Sequence, residues 1–66
     1  MSQFLEGRFP SFGDIYQVVR DDELYSAYMV VEMHEGEIVL GNGLSVHWTD
    51  LNDTTRWKYI RNIAEN

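Results

Sequence analysis

The chain has 66 residues, no cysteine and a net charge of −6. Disulfides and thiolate zinc sites are thereby excluded, and a domain this short buries only about 60% of the surface its unfolded chain exposes. Stability must then come from dense packing, for which two Trp, four Tyr and three Phe are available, or from self-association.

Taken from the N-terminus, Met1 to Pro10 has no basic stretch followed by an apolar one, so it does not read as a signal peptide. No run approaches the roughly 18 apolar residues of a membrane span. Both features, with the missing cysteines, predict a cytoplasmic protein with no membrane partner. One small β domain is expected over 1–66. Phe4, Leu5 and Phe9 before Pro10 predict an N-terminal arm over 1–12, lying on a body at 13–61 with a short tail at 62–66.

Gly13-Asp14 opens a first strand, Ile15 to Arg20, supported by β-branched residues and a tyrosine. A polar loop, Arg20-Asp21-Asp22-Glu23, leads to a long second strand from about Leu24 to His34. Strict alternation would put Tyr25, Ala27, Met29, Val31 and Met33 on one face and Tyr28, Val30, Glu32 and His34 on the other. A two-residue loop at Glu35-Gly36 pairs Met33 with Ile38 and Val31 with Leu40, so apolar residues face apolar ones.

At the next turn Asn42-Gly43 resembles a two-residue hairpin loop. That choice would set Leu40 against Ser45 and Ile38 against His47. A three-residue loop, Gly41-Asn42-Gly43, sets Leu40 against Leu44 and Ile38 against Val46 and keeps the apolar face intact. The longer loop is therefore predicted, with Gly43 supplying a left-handed residue. The expected core face is Met29, Val31, Met33, Ile38, Leu40, Leu44 and Val46, ending at Trp48.

Thr49 to Asp53 reads as a turn or one short helical turn. Thr54 to Ile60 is rich in β-formers and reads as a closing strand. The alternative is a helix, because Trp57, Ile60, Ile63 and Ala64 share one helical stripe with Asp53 as its N-cap.

Four or five short strands at close spacing suggest a small antiparallel barrel or half-barrel, an all-β fold. Gly13-Asp14-Ile15-Tyr16-Gln17-Val18 resembles the opening strand of SH3-like small barrels. Trp48-Thr49-Asp50-Leu51 and Trp57-Lys58-Tyr59-Ile60 are similar to their fourth strand, short helical turn and closing strand. Short uncharacterised phage and prophage proteins look like this. The resemblance implies an SH3-like fold and a binding role without a specified ligand. The glycine pattern and basic surface of the nucleic-acid-contacting KOW subfamily are absent, as is the Ala-Leu-Tyr-Asp-Tyr signature of peptide-binding SH3 domains.

Charge is unevenly placed. Eight carboxylates (Asp21, Asp22, Glu23, Glu32, Glu35, Glu37, Asp50 and Asp53) fall in a stretch without Lys or Arg, followed by Arg56, Lys58 and Arg61. An acidic body argues against direct nucleic-acid binding and suits a basic protein surface, or simply solubility. The three cations with Trp57 and Tyr59 interleaved leave one nucleic-acid reading, by stacking.

In the chosen register His34 faces Glu37, and Glu37 faces His47. This row reads either as an ordinary polar row or as ligands for a divalent metal. Tyr28, Val30 and Val39 would surround it with apolar groups on the outward face. Such a face needs a cover, from the chain itself, from a partner or from a second copy in a homodimer. The expected partner-binding set is Tyr28, Val30, Val39, Glu32, Glu37, His34 and His47. Tyr16, Tyr25, Trp48, Trp57 and Tyr59 are either core or the lining of an aromatic groove.

Enzyme templates fail. No serine sits in a glycine elbow, His34-Glu35 lacks the second His of a zincin, and Gly41-Asn42-Gly43 lacks a phosphate loop's lysine and following helix. No catalytic, cofactor or metal site is expected. The sequence therefore predicts a non-enzymatic protein-binding accessory module, phage-encoded and acting on a host protein. The alternative is an acidic mimic of nucleic acid that inhibits a host DNA- or RNA-binding enzyme. A direct nucleic-acid binder and an enzyme assembled by oligomerisation rank below both.

Overall fold

The computed structural model describes residues 9–64. Five strands follow one another: β1 (Asp14–Arg20), β2 (Glu23–His34), β3 (Glu37–Leu40), β4 (Ser45–His47) and β5 (Trp57–Asn62). A 3-10 turn, Trp48–Asn52, lies between β4 and β5. All pairings are antiparallel, in the spatial order β4-β3-β2-β1-β5. The expected all-β antiparallel architecture is present, and the sheet stays open between β4 and β5. No helix among the described residues is long and apolar enough to cross a membrane.

Turn chemistry sets the registers. Asp21 and Asp22 have φ of 52° and 65°, and Glu35 and Gly36 have 50° and 90°. Two consecutive positive φ values are what a two-residue type I′ hairpin requires, because its twist matches that of the flanking strands. The second hairpin sets His34 against Glu37 and Met33 against Ile38, as expected. The third loop spans three residues. Gly43 N–H donates to the Leu40 carbonyl (2.8 Å), Leu40 N–H donates to that of Leu44 (2.9 Å), and Ile38 lies opposite Val46. Gly43, at φ +88°, carries the left-handed step.

The expected alternation along β2 is corrected by a bulge. Val30 pairs with Leu40 and Glu32 with Val39, so two β2 residues oppose one step of β3 and Val31 is the extra one. A bulge reverses which parity of residues faces inward on its far side. Val30, expected outward, is therefore fully buried opposite Leu40, and Tyr28 packs against the core. Val31 and Met29 are only half-buried, while Met33 and Leu44 lie at the margins, 40% and 45% exposed. The core consists of Tyr16, Val30, Ile38, Leu40, Leu51 and Trp57, with Val46 and Trp48 packed against it.

The bulge also explains how β2 serves two neighbours. Twelve residues of straight strand would span about 36 Å, yet the molecule's longest dimension is 32 Å. Bulged strands bend and twist more strongly. The first half of β2 pairs with β1 and the second half with β3.

The last segment is a strand and not a helix. β1 has an open edge, and β5 satisfies its backbone groups by pairing Tyr16 with Tyr59 and Val18 with Trp57. The partnership is locked at one end by polar groups. Asp14 is fully buried. Its carboxylate accepts from the Ser11 backbone N–H and from Asn62 Nδ2, each at 2.8 Å. Asn62 Nδ2 also donates to the Phe12 carbonyl (3.0 Å), and Ile63 N–H donates to that of Gly13 (3.0 Å). Gly13 is required there. Its φ is +90°, and an added Cβ would stand 2.9 Å from Ile63 Cγ1. Of the expected arm over 1–12, residues 1–8 lie outside the described residues. The Phe9 ring packs tilted against Trp48, with centroids 5.3 Å apart, and Pro10 is buried.

Candidate functional site: an open-ended groove

At the opposite end of the β1–β5 pair the surface is concave. A groove of about 540 Å³ runs between the β1–β2 turn, the β3–β4 loop and the approach to β5. Three apolar side chains make its floor. Val18 and Tyr28 are half-buried, Trp57 is nearly buried, and all three belong to or pack against the core. Leu44 forms part of the wall, held exposed by the three-residue loop. The volume falls within the range of about 300–1,000 Å³ usual for ligand sites.

Local structure holds this lining in place. The Asn42 carboxamide oxygen accepts from Leu44 N–H (3.0 Å), closing the loop beneath Leu44. Asp53 Oδ1 accepts from Thr55 N–H (3.0 Å) and Thr55 Oγ1 (2.6 Å). That side-chain turn presents Thr55 and Arg56 to the groove. The Thr55 hydroxyl and amide, with a smaller contribution from the Arg56 charge, hold the Asp53 carboxyl below its ordinary pKa of 3.8. Val19 N–H donates to the Arg56 carbonyl (2.8 Å), so β1 carries the opposite wall. At the end of β1 the Arg20 guanidinium lies 5.4 Å from the Tyr25 ring centre, a cation–π contact.

Only Tyr28 of the expected partner-binding set lines this groove. Val30 is core. Val39 is half-buried, and Glu32, His34, Glu37 and His47 are exposed. The register does align His34, Glu37 and His47 across three strands. Their side chains nevertheless turn to separate partners. His34 Nε2 meets Glu32 at 2.8 Å, Glu37 accepts from Ser45 Oγ at 2.7 Å, and His47 Nδ1 accepts from Thr49 N–H at 3.3 Å and meets its hydroxyl at 2.8 Å. Among the described residues no three His, Cys, Asp or Glu side chains are placed to hold a metal. The outward face is thus an ordinary polar one. The bulge turns Tyr28 and Val30 inward and leaves Met29, Val31 and Val39 half-buried.

The aromatic candidates divide the same way. Tyr16 and Trp57 are core, Tyr59 packs edge-on against Tyr16 (centroids 5.5 Å), Trp48 carries Phe9, and Tyr25 is exposed beneath Arg20. Trp57 shows only a small part of its surface and Tyr59 is half-buried against Tyr16, so neither presents a full ring face for base stacking beside Arg56, Lys58 and Arg61. Sequence reasoning did not find Val18, Arg20, Leu44 or Thr55. Their nearness follows from β5 returning to β1, a pairing that no local pattern encodes.

Comparison with protein-family models, with curated proteins and with solved structures gives no match.

Proposed function

We propose that this chain is a non-enzymatic protein-binding module of the SH3-like barrel class, acting in the cytoplasm. In this reading it is a phage-encoded accessory protein that engages a host protein. The single observation that carries the binding reading is the groove, a preformed apolar floor left open at one end of a very small core. Its lining holds no His, Cys or Ser, so no Ser–His or Cys–His pair can be formed from it. The barrel assignment is supported by the order β4-β3-β2-β1-β5 and by the 3-10 turn placed before a closing strand that pairs with β1.

Random-peptide display on the intact chain tests the binding reading. Selected peptides should shift the backbone amides of Val18, Tyr28, Leu44 and Thr55 in NMR spectra and leave those of Glu32, His34 and Glu37 in place. Failure to enrich any sequence, or shifts confined to the outward face, would overturn it.

A second reading, mimicry of nucleic acid, draws on one observation. Asp21, Asp22, Glu23, Glu32, Glu35, Glu37 and Asp53 are all exposed. It requires a host DNA- or RNA-binding enzyme whose inhibition fades steeply as salt is raised. Inhibition that is indifferent to salt would exclude it.

A further inference from the structure

In this acidic molecule the groove sets two cations beside an apolar floor. Four of the chain's five Lys and Arg residues are described, and two of them, Arg20 and Arg56, line it. Among the described residues no carboxylate lies within ion-pair distance of either guanidinium. The Asp53 carboxylate feels the Arg56 charge without pairing with its guanidinium, and Arg20 rests on the Tyr25 ring. An aromatic face orients a guanidinium without neutralising it, leaving its N–H fork available to an acceptor.

Beyond the cations the field reverses. Asp21 is itself part of the lining, and Asp22 and Glu23 continue from it along the hairpin. A polyanion such as a nucleic-acid strand would meet these carboxylates and a net charge of −6, and would be repelled. A single carboxylate with basic neighbours would be accepted at Arg20 and Arg56 and steered by the acidic surround.

We infer that the groove takes a short protein segment in which one Glu or Asp adjoins a bulky apolar residue within an otherwise basic stretch. The carboxylate is received by Arg20 and Arg56, and the apolar side chain rests on Val18, Tyr28, Trp57 and Leu44. This inference rests on the protein-binding reading above and names the chemistry of its partner. The basic stretch answers the carboxylates of Asp21, Asp22 and Glu23, which the groove alone leaves unused.

The test is random-peptide display run in parallel on the intact chain and on an Arg20→Gln/Arg56→Gln double variant. Both positions are exposed, and an unchanged pattern of dispersed amide signals verifies the variant's fold. The intact chain should enrich peptides carrying an acidic residue beside a large apolar one, flanked by Lys or Arg. The double variant should keep the apolar residue and lose the acidic one. A selected peptide resynthesised with Gln for its acidic residue should bind the intact chain about tenfold more weakly, since a charge-assisted hydrogen bond is lost. It should bind the double variant as well as its parent peptide does.

Enrichment without an acidic residue, or an acidic preference that survives in the double variant, would overturn this inference and leave the binding reading standing. No enrichment on the intact chain, or binding away from the groove amides, would overturn both.

Discussion

The two ends of the β1–β5 pair are built on opposite principles. At the Gly13 end a buried carboxylate, an asparagine 48 residues away and the Ile63–Gly13 backbone hydrogen bond close the seam between the strands. At the Arg20 end the same two strands stay paired through Val18–Trp57 and Val19–Arg56, and the neighbouring loops border an apolar floor. A domain of this size has little stability to spare. The contrast suggests that its polar interior is concentrated where it ties the chain, leaving the other end open for another molecule.

The most damaging way to break this comparison is at the clasp. Asn62→Ala should take one charge-assisted hydrogen bond from the buried Asp14 carboxylate and destabilise the fold by about 2 kcal/mol. Since a core this small rarely supplies more than about 3–5 kcal/mol, chemical denaturation should show a variant close to its unfolding threshold. A variant as stable as the parent would show that the clasp is decorative. Gly13→Ala comes next. Its φ of +90° and the approach of Ile63 predict a loss of about 1–2 kcal/mol, read from the same denaturation curves.

The turns give a change in the other direction. Glu35 holds a left-handed conformation that asparagine tolerates better, so Glu35→Asn should stabilise the chain by about 0.5–1 kcal/mol while touching neither end. Leu44→Gln at the groove should change stability by no more than about 0.5 kcal/mol, because the side chain is already half in solvent. It should nevertheless abolish the binding of display-selected peptides. That separation of stability from binding would sharpen the contrast between the ends, and a large loss of stability would erase it.

The smallest effect concerns acid. The Asp53 pKa is depressed by its bonds to Thr55, so its contribution is fully present above the ordinary value of 3.8 and is lost as pH falls through the lowered folded-state value. In an NMR titration from about pH 5 to about pH 2, the Thr55 amide should therefore move with a midpoint below 3.8. A midpoint at or above 3.8 would mean that the turn presenting Arg56 is not held by that carboxylate.

Much of the sheet was legible before any coordinates. Glu35-Gly36 and Gly41-Asn42-Gly43 specify loop lengths, and loop length specifies register, so Met33–Ile38 and Ile38–Val46 came out as read. The strand choice for Thr54 to Ile60 followed from its β-forming residues, and the strand itself runs over Trp57–Asn62. The faces of β2 were not legible. Tyr28-Met29-Val30-Val31 is apolar at both parities, so either parity can be buried, and a single extra residue at Val31 decides between them. The placement of Val30 and Tyr28 on the outward face is what the bulge corrects.

Local chemistry thus determined where this chain turns and which residues sit across from one another, because turn geometry and β-propensity act over a few neighbours. Inside versus outside along β2, the burial of Asp14 and the groove were decided only when distant segments met. A bulge is selected by the packing it permits, and Asp14 is buried only where Asn62 meets it. The groove is bounded by the ends of strands that the sequence keeps more than thirty residues apart.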